Sequence, residues 1–587
     1  MKELMLGNKA VARGLYEAGV CFISSYPGTP STEITEEAAK YPESEIYCEW
    51  APNEKVAMEA AFGASLAGRR AFCAQKHVGL NVAADPLYTM SYTGVNAGLV
   101  IGVADDAGMH SSQNEQDSRH HAIAAKVPML EPADSAEALD YAKRAYEISE
   151  EYDTPVLLKM CTRVAHSQSI VETGERTVPE KTYTKDIAKY VMMPGNAKKR
   201  HPFVEERTKK LIAYAETSGI NRIEQGDGST GLGIITASTS YQYVKEIFGD
   251  RVAILKLGMT NPLPVQMIRD FAAGVKRLIV VEELDPIIEN HVRSLGLKVE
   301  GKELFPICDE FSQNLIAEAL GEPVPAGKTL DVQIPGRPPV MCAGCPHRGL
   351  FYTLKKLDCT VLGDIGCYTL GAVAPLSSIE MTLCMGASIG AAHGFNKVLG
   401  EKAAHRTVAV LGDSTFMHSG MTGLANVAYN QSNATVIILD NSITGMTGHQ
   451  QNPTTGFNLR GDPAGRIDLE ALCRAMGFER VRVIDPYDLA DCERVIREEL
   501  DEDAPSVIIS RRPCALLKHV KHKPPLTVSN DKCVGCKSCM KIGCPAISLK
   551  PSDKTKTGVL SCIDQTLCVG CGVCTQLCPV DAIHGKE

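Results

Sequence analysis

Two matching cysteine runs near the C-terminus constrain this chain more than any other feature of its sequence. The first run consists of Cys533, Cys536, Cys539 and Cys544, with Pro545 after it. The second run consists of Cys568, Cys571, Cys574 and Cys578, with Pro579 after it. The runs begin 35 residues apart (568 minus 533), so the C-terminal segment is an internal repeat. Thiols at such regular spacing favour a small domain organised around metal ions or disulfides.

The spacing within each run is close to C-x2-C-x2-C-x3-C-P, an iron–sulfur pattern in which the fourth cysteine ligates the other cluster. One [4Fe–4S] cluster is therefore predicted on Cys533, Cys536, Cys539 and Cys578. The other is predicted on Cys568, Cys571, Cys574 and Cys544. The first run has one extra residue before its last cysteine, which a loop can absorb. A zinc site, which usually takes two Cys-x2-Cys pairs, and a disulfide knot are the alternatives.

Length and composition bound what the other residues can form. A chain of 587 residues is expected to hold about four domains, and its hydrophobic fraction of 44% is ordinary for globular protein. The net charge of −9 is mild and the basic runs at 198–200 and 518–523 are short, so nucleic-acid binding is not indicated. No apolar run approaches the roughly 20 residues that span a bilayer, and no secretion signal is recognised. We therefore expect a cytoplasmic protein without membrane or nucleic-acid partners, whose cysteine runs indicate metal or redox sites.

Short β-branched runs alternate with amphipathic stretches along most of the chain. Examples are Val156–Met160, Val408–Gly412 and Val436–Leu439. Such runs, bounded by Gly, Pro, Asp or Asn, predict βαβ units with buried parallel strands. The expected fold class is α/β, with several doubly wound parallel-sheet domains and a small cysteine-rich C-terminal domain. The predicted boundaries are 1–170 for the first domain, 171–230 for a polar linker, 231–325 for the second domain, 326–522 for the third and 523–587 for the tail.

Polar residues follow two consecutive predicted strands of the third domain. Gly412-Asp413-Ser414 comes directly after one strand, and Asn441 follows the next strand after 26 intervening residues. Because ligands bind at the carboxyl ends of strands in open α/β sheets, the carboxylate and the amide can hold one Mg²⁺ that also takes diphosphate oxygens. The layout resembles the thiamine diphosphate motif, which implies Asp413, Asn441 and the carbonyl of Ile443 as metal ligands. Ser414 stands where that motif has glycine, and two ordinary strand-end turns are the alternative.

Four further cysteines fall in the third domain. They are Cys342 and Cys345 in a Cys-x2-Cys pair, Cys367 after Gly366, and Cys514 after Pro513. Each alone is readily explained as a small buried hydrophobe. Together they resemble the ligands of the cluster nearest the thiamine in the 2-oxoacid:ferredoxin oxidoreductases, which implies a third [4Fe–4S] cluster.

A short loop in the first domain is similar to a signature of the same family. Residues 26–31 read Tyr-Pro-Gly-Thr-Pro-Ser, against the family's YPITPS, so that Gly28 takes the place of isoleucine. The likeness implies that Thr29 contacts the oxo-acid group of the substrate. A proline-rich turn capped by Ser31, ahead of a helix that begins near Glu33, is the alternative.

Glu54 begins a segment with small residues at helical spacing. Thiamine enzymes place a glutamate at this point to bond the aminopyrimidine ring, and by that resemblance Glu54 promotes loss of the thiazolium proton. A solvated helix carboxylate is the alternative. Glu59 lies on the same predicted helix, so the choice of Glu54 depends on the family's spacing alone.

These motifs extend over essentially the full chain. The most distinctive are Met341–Arg348 (MCAGCPHR), Gly412–Phe416 (GDSTF) and Ser111–Arg119 (SSQNEQDSR). With them the chain resembles the large-subunit family of the indolepyruvate:ferredoxin oxidoreductases. The resemblance implies a pyrimidine-type thiamine domain in 1–170 and a transketolase C-terminal-like domain in 231–325. It further implies a diphosphate-type thiamine domain in 326–522 and a ferredoxin-like 2[4Fe–4S] domain in the tail.

The resemblance also implies an activity and its partners. The activity is thiamine diphosphate-dependent oxidative decarboxylation of aromatic 2-oxo acids to aryl-acetyl-CoA, with electrons passed to an external ferredoxin. Coenzyme A, ferredoxin, a smaller β subunit and a second copy of this chain are the implied partners. The alternatives are a related oxidoreductase of other substrate range, a non-redox thiamine decarboxylase or synthase, an electron-transfer subunit with an inactive thiamine site, and a cluster-free structural tail.

Two further groups of residues are candidates for the site. Pyruvate-specific relatives bind the substrate carboxylate with an arginine where this chain reads Ala104-Asp105-Asp106, which argues against pyruvate as the main substrate. The candidates for carboxylate recognition are instead Lys76, His77 and Arg119, with a core or surface role as the alternative for each. Glycines expected close to the cofactor are Gly366, Gly386, Gly445 and Gly448, with plain turn formation as the alternative.

Overall fold

The computed structural model describes residues 1–324, 327 and 331–585. They fall into two compact units, Met1–Asp331 and Val332–Glu587. The strands of the first unit are β1 (Lys2–Leu6), β2 (Phe22–Ser25), β3 (Tyr47–Trp50), β4 (Ala71–Lys76), β5 (Leu99–Asp105), β6 (Met129–Leu130), β7 (Val156–Cys161), β8 (Gln168–Glu172), β9 (Arg222–Glu224), β10 (Leu232–Ala237), β11 (Ala253–Leu257), β12 (Met259–Asn261) and β13 (Arg277–Val281). Its helices are α1 (Gly7–Glu17), α2 (Thr32–Ala38), α3 (Glu54–Leu66), α4 (His77–Val82), α5 (Ala84–Thr93), α6 (Arg119–Ala125), α7 (Ser135–Tyr152), α8 (Thr162–His166), α9 (Ile187–Tyr190), α10 (Pro194–Thr217), α11 (Ser238–Phe248), α12 (Val265–Ala273), α13 (Ile287–Ser294) and α14 (Gln313–Leu320).

The main sheet of the first unit has seven strands in the order β12-β6-β7-β5-β4-β2-β3. Every pairing is parallel except that of β12 with β6. Strands β4, β5 and β7 are buried along their whole length, as expected for parallel strands covered on both faces. The carboxyl ends of β2, β4, β5 and β7 therefore meet at one edge, where ligands of such sheets bind.

A smaller sheet in the first unit has the order β13-β10-β11-β9, with β10 parallel to both β11 and β13 and β9 antiparallel to β11. A two-stranded antiparallel pair, β1 with β8, ties the N-terminus to residues 168–172.

The second unit contains one five-stranded parallel sheet and the C-terminal tail. Its strands are β14 (Thr360–Leu362), β15 (Thr407–Gly412), β16 (Thr435–Asp440), β17 (Arg480–Ile484), β18 (Ser506–Arg511), β19 (Leu526–Val528), β20 (Ile547–Pro551), β21 (Val559–Ile563) and β22 (Ile583–Gly585). Its α-helices are α15 (His347–Lys356), α16 (Ala387–Leu399), α17 (Glu401–Ala404), α18 (Asp413–Thr415), α19 (Met421–Tyr429), α20 (Leu469–Ala475) and α21 (Leu489–Leu500). Shorter 3₁₀ or π turns occupy Cys367–Ala372, Phe416–Gly420, Ser538–Ile542 and Val573–Leu577.

Strand order in the five-stranded sheet is β14-β15-β16-β18-β17, with every pairing parallel. Alternate residues of β15 enter different cores, Val408 and Val410 on one face and Ala409 and Leu411 on the other. Helices pack on both faces, which is the doubly wound arrangement. In the tail, β19 pairs with β22 and β20 with β21, both antiparallel, around a small core of its own.

The predicted α/β class with parallel sheets is confirmed. The segment 171–230, predicted as a linker, contains the 24-residue helix α10, whose buried Arg207 donates to the carbonyl oxygens of Ser91 and Asp153. Strand β12, predicted within the second domain, joins the edge of the first sheet. No helix in residues 1–324, 327 or 331–585 is both long enough and apolar enough to cross a bilayer.

Candidate functional site

Three oxygen atoms converge at the carboxyl edge of the five-stranded sheet. Asp413 follows β15 and Asn441 follows β16, and both strands are buried. The side-chain oxygen of Asn441 lies 2.8 Å from the carbonyl oxygen of Ile443 and 3.3 Å from Oδ1 of Asp413. The amide could be turned over to make both contacts hydrogen bonds. However, the backbone N–H of Ile443 donates to this oxygen at 3.3 Å, which favours the orientation with oxygen inward.

Electrostatics at this edge favour a cation. Burial raises the pKa of Asp413 to about 7, and the Asp440 carboxylate adds to the rise. Asp413 accepts hydrogen bonds from the backbone N–H of Ser414 (2.9 Å) and from the hydroxyl of Thr454 (3.1 Å). Oxygens from a carboxylate, an amide and a carbonyl that lie close together are the ligands that Mg²⁺ prefers. The hydroxyl of Ser414 accepts a hydrogen bond from Thr444 at 2.9 Å and does not displace Asp413. Serine is therefore tolerated at the position where the thiamine motif has glycine.

The predicted glycines serve different purposes. The N–H of Gly386, at the start of α16, donates to Oδ1 of Asp364 at 2.9 Å. Because this N–H already has a partner within the protein, we withdraw Gly386 as a candidate for a phosphate contact. Gly445 lies next to a thiol, since a Cβ built on it would stand 3.5 Å from Sγ of Cys367. Gly448 has a φ of +124°, which glycine tolerates far better than other residues. Gly366 opens the 3₁₀ turn of Cys367, and a Cβ there would collide with the ring of Tyr368 at 2.3 Å.

The structure brings together the four cysteines predicted for the third cluster. Burial raises the pKa of Cys345 to about 12, with smaller contributions from the thiols of Cys367 and Cys342 and against the opposing effect of Arg348. Burial also raises the pKa of Cys367, with added effects of Cys514 and Cys342. The set adjoins the oxygen cluster, because the backbone N–H of Cys514 donates to the carbonyl oxygen of Asn441 at 2.9 Å. We name these four residues the proximal cysteine set.

The tail cysteines form two sets that match the crosswise prediction. One pocket is lined by Cys533, Cys536, Cys539 and Cys578, the outer cysteine set. Another pocket is lined by Cys544, Cys568, Cys571 and Cys574, the inner cysteine set, together with Cys345 of the proximal set. In each tail set the fourth cysteine comes from the other run, because the chain folds back on itself through β20 and β21. In the described part of the chain no three His, Cys, Asp or Glu side chains converge closely enough to bind a single metal ion. This spacing is compatible with iron–sulfur clusters, because a cubane holds its thiolates farther apart than one ion does.

Glu54 is the first residue of α3, and its side chain is buried. It packs against Gly79 so closely that a Cβ there would lie 2.6 Å from Oε1 of Glu54. Glu59, by contrast, is exposed and pairs with Lys55 at 2.5 Å. Burial therefore distinguishes the two glutamates, which spacing could not do. Asn53 caps the helix by accepting from the N–H of Val56.

Lys76 and His77 lie at the carboxyl end of β4, beside the loop that carries Thr29. Nζ of Lys76 donates to the carbonyl oxygen of Ser111 at 2.8 Å and stands 3.8 Å from a carboxylate oxygen of Asp106. Burial lowers the pKa of Lys76 and also that of His77. Nε2 of His77 lies 3.3 Å from the carbonyl oxygen of Asn114, and the backbone of Ala104 also interacts with the ring.

The loop of Thr29 packs directly on Lys76. A Cβ on Gly28 would stand 3.1 Å from Cβ of Lys76, so this departure from the family signature is explained by close packing. Ser31 does not cap a helix as expected. Its hydroxyl donates to the carbonyl oxygen of Gly28 at 2.8 Å instead of accepting from the helix, although α2 begins at Thr32, next to the expected Glu33.

Arg119 is not free to bind a substrate. Its guanidinium pairs with Asp117 and with Glu282, each at 2.6 Å, and also donates to the carbonyl oxygens of Glu283 and Asp285. Against the effect of burial, the two carboxylates raise its pKa well above the ordinary value. Arg119 thus joins the end of the polar loop 111–119 to the segment after β13, and we withdraw it as a carboxylate ligand.

The sequence interpretation missed two buried charged residues. Asp364 follows β14 and accepts from the N–H groups of Ile365, Gly386 and Ser388, fixing the start of α16. Its setting, Gly-Asp after a short β-branched run, is the same signal that identified Asp413 and could have revealed it. Arg348 lies in the MCAGCPHR segment, 5% exposed, with its guanidinium between the proximal and inner cysteine sets. No local signal marked Arg348, because its partners lie in the distant tail.

Known protein families match three parts of the chain. The model for the thiamine diphosphate-binding domain of pyruvate flavodoxin/ferredoxin oxidoreductases matches residues 13–219, and that for the C-terminal domain of thiamine pyrophosphate enzymes matches 364–510. A 4Fe–4S dicluster domain matches residues 532–582. The "Indolepyruvate oxidoreductase subunit IorA" of Archaeoglobus fulgidus is 40% identical over 99% of this chain and 97% of its own length. This chain belongs to the IorA family.

Other similarities agree with this family to different degrees. The IorA subunit of Pyrococcus horikoshii is 41% identical over 99% of this chain and 97% of its own length. A solved 2-oxoglutarate:ferredoxin oxidoreductase from Magnetococcus marinus is 19% identical, covers 55% of this chain and 65% of its own chain, and has a TM-score of 0.47. That overlap is too partial to add to the assignment. Membership of the IorA family and the dicluster match confirm thiamine-binding domains and iron–sulfur clusters, in place of the zinc and disulfide alternatives.

Replacement of Arg119 by leucine should destabilise the first unit strongly. The change leaves the buried carboxylates of Asp117 and Glu282 without their cation, at a cost of about 3–5 kcal/mol in the free energy of unfolding. Urea denaturation followed by circular dichroism measures this loss. Arg144→Leu is the control, because its exposed pair with Asp140 should be worth less than about 1 kcal/mol. Equal losses in the two variants would contradict a clamping role.

The two tail sets can be distinguished with paired substitutions. If ligation is crosswise, Cys578→Ser combined with Cys536→Ser should cost no more iron than either change alone, because both remove ligands of one cluster. Cys578→Ser combined with Cys571→Ser should cost about twice as much, because two clusters are affected. Iron content after anaerobic purification measures both, with Cys562→Ser on β21 as control. The reverse pattern would mean that each run ligates its own cluster.

Proposed function

We propose that this chain is the catalytic, electron-carrying subunit of a thiamine diphosphate-dependent oxidoreductase that oxidises aromatic 2-oxo acids and passes electrons to ferredoxin. The observation that carries this proposal is the junction of two sites at one sheet edge. The backbone N–H of Cys514 in the proximal cysteine set donates to the carbonyl oxygen of Asn441 in the oxygen cluster. A cation site for a diphosphate and a cysteine set for an electron carrier are thus adjacent, as oxidation after decarboxylation requires.

Residues of the second unit fit the diphosphate end of the cofactor. Asp413, Asn441 and the carbonyl of Ile443 would hold Mg²⁺, and the burial of Asp413 with no cationic side chain paired to it among the described residues supports this role. Gly445 and Gly448 lie in the same loop as Ile443 and remain candidates for contacts with phosphate. Bound thiamine diphosphate would supply the electron sink for decarboxylation, and the clusters would carry single electrons away.

Residues of the first unit fit proton handling and substrate orientation. Glu54 would hold a hydrogen bond to the aminopyrimidine ring, for which its burial at a helix start is suited. Lys76 and His77 would orient the carboxylate of the 2-oxo acid, with Thr29 beside them. The position of both side chains at the carboxyl end of β4, where ligands of parallel sheets bind, supports this role.

The arrangement of cysteines supports a path for electrons toward the tail. Cys345 of the proximal set and four cysteines of the inner set line one pocket, so these sets are neighbours. The outer set includes the exposed Cys536 and lines a pocket to which the proximal set contributes no cysteine, which supports its role as the exit to an external acceptor. Electrons would pass from the proximal to the inner and then to the outer cluster.

The substrate and the partner subunit that we propose follow from the names of the relatives. The A. fulgidus and P. horikoshii proteins are named as subunits of indolepyruvate oxidoreductases, so we propose indolepyruvate and other arylpyruvates as substrates and a smaller β subunit as partner. We further propose that coenzyme A accepts the acyl group to give an aryl-acetyl thioester. The assembly would contain two copies of this chain. The non-redox alternative leaves three cysteine sets without a purpose, and an inactive thiamine site is at odds with the intact oxygen cluster.

The substrate order tests the proposed function. The chain is purified anaerobically with its partner subunit, and reduction of ferredoxin is followed with indolepyruvate, phenylpyruvate and pyruvate in turn. We expect both aryl substrates to exceed pyruvate by at least about tenfold in kcat/KM, because a pocket for a ring gains little from a methyl group. Equal rates, or pyruvate first, would remove the aryl specificity. Absence of ferredoxin reduction with all three would remove the redox function.

Glu54 and Glu59 offer a matched pair of substitutions on one helix. Glu54→Gln should slow hydrogen exchange at the thiazolium C2 of bound thiamine by about 10²–10⁴-fold, the usual contribution of a positioned acid or base. Glu59→Gln, on the exposed face of α3, should leave the exchange rate unchanged. Exchange into deuterated buffer, quenched with acid and read by NMR, gives both rates. Similar rates in the two variants would assign Glu54 to the protein core instead.

A further inference from the structure

Arg348 is a buried cation that the proposed chemistry has not used. It is the second residue of α15, directly after the Cys342–Cys345 loop, and is 5% exposed. Its Nε donates to the carbonyl oxygen of Cys342 at 3.0 Å, and its Nη2 donates to that of Met341. On this side the guanidinium fixes the backbone of the proximal cysteine loop.

The other side of the guanidinium contacts the tail. Nη1 donates to the carbonyl oxygens of Ile542 and Gly543, the former at 3.2 Å. These residues immediately precede Cys544 of the inner cysteine set. The fit is close, since a Cβ on Gly543 would stand 3.2 Å from Nη1. One planar side chain therefore links the loop of the proximal set to the loop of the inner set.

The charge of Arg348 has no carboxylate partner in the described residues. Every acceptor of its hydrogen bonds is a carbonyl oxygen, and the ionisable groups nearest to it are the thiols of Cys345, Cys544, Cys342 and Cys571. Burial lowers its pKa, and these four thiols oppose that effect. A buried cation without a counter-charge is costly, so the site is complete only when an anion lies beside it.

Arg348 lies between the two groups that would supply that anion. It lines the same pocket as Cys345 and the four cysteines of the inner set. A cluster held by four thiolates carries net negative charge, which increases when it accepts an electron. The outer cysteine set has a pocket of its own, and Arg348 does not line it.

We propose that Arg348 is the shared counter-cation of the proximal and inner clusters and the positioning residue that holds their loops together. This inference rests on the proposed function and assigns a residue to its electron-transfer step. With both clusters bound, an electron passing from the proximal to the inner cluster would move negative charge from one side of the guanidinium to the other. A cation fixed between the two sites stabilises the reduced form of each, and so raises both reduction potentials.

A redox titration of the resting protein tests this role without substrate. Arg348→Met and Arg348→Lys are compared with the parent chain, and electron paramagnetic resonance reports the reduction of each cluster. Arg348→Met should make the proximal and inner clusters harder to reduce by about tenfold in the reduction equilibrium, which is 59 mV for one electron. Arg348→Lys retains the charge and should restore most of this loss. The outer cluster should move least in both variants.

Arg474→Met is the matched control. Arg474 is exposed and, like Arg348, donates only to carbonyl oxygens, those of Glu479 and Val481. Its replacement should leave all three potentials unchanged. If Arg348→Met does not assemble its iron, Arg348→Gln is titrated by the same criteria. Loss of iron in both neutral variants but not in Arg348→Lys would also support the counter-cation.

Several outcomes would overturn the inference. They are unchanged potentials in the neutral variants, an equal shift in all three clusters, and a shift in Arg348→Lys as large as in Arg348→Met. Loss of iron in Arg348→Lys as well would assign the residue to the fold through its planar shape alone. Failure of the proposed function is distinct, because it would appear as no reduction of ferredoxin with any of the 2-oxo acids, whereas this titration uses no substrate.

Discussion

The pairing of β16 with β18 determines the distance between the oxygen cluster and the proximal cysteine set. Asp440 stands opposite Arg511 in this parallel ladder, and the side chains of the two residues pair at 2.8 Å. The ladder continues past the strands, with the N–H of Arg512 donating to Asp440 and that of Cys514 donating to Asn441. A slip of one residue would turn these side chains to the opposite face and separate the two sites.

Two buried charges of opposite sign show what else the second unit requires. Burial, together with the Asp440 carboxylate, raises the pKa of Asp413 to about 7, and no cationic side chain pairs with it in the described residues. Arg348 is held among carbonyl oxygens and thiols, and the same part of the chain offers it no carboxylate partner. Each residue is costly in the protein alone and is stabilised by the group it would face, a divalent cation for Asp413 and anionic clusters for Arg348. Binding of these groups is therefore coupled to the stability of the fold that presents them.

The sequence predicted those parts of the site that depend on local order. Asp413 and Asn441 follow consecutive buried strands, and parallel strands bring their carboxyl ends to one edge. The crosswise cysteine sets follow from a repeat with a known exchange of its fourth ligand. The role of Arg119 could not be predicted, because Glu282, its second carboxylate, is 163 residues away in sequence. Helix α10 was not predicted, because Pro202 and the many polar residues of the segment obscure the face on which the helix packs. Arg207 belongs to that face and contacts α5.

The charge balance at the end of β4 bears on how a substrate would be selected. Lys76 already faces the carboxylate of Asp106, which accepts from Ser111, Ser112 and Thr162 and stays ionised. A substrate carboxylate entering here meets a lysine whose charge is largely balanced, so this contact alone gives little affinity. An aromatic side chain that buries about 150–250 Å² gains roughly 4–6 kcal/mol from apolar contact, which a methyl group cannot supply. On the proposed function, selection therefore depends on the ring more than on the carboxylate.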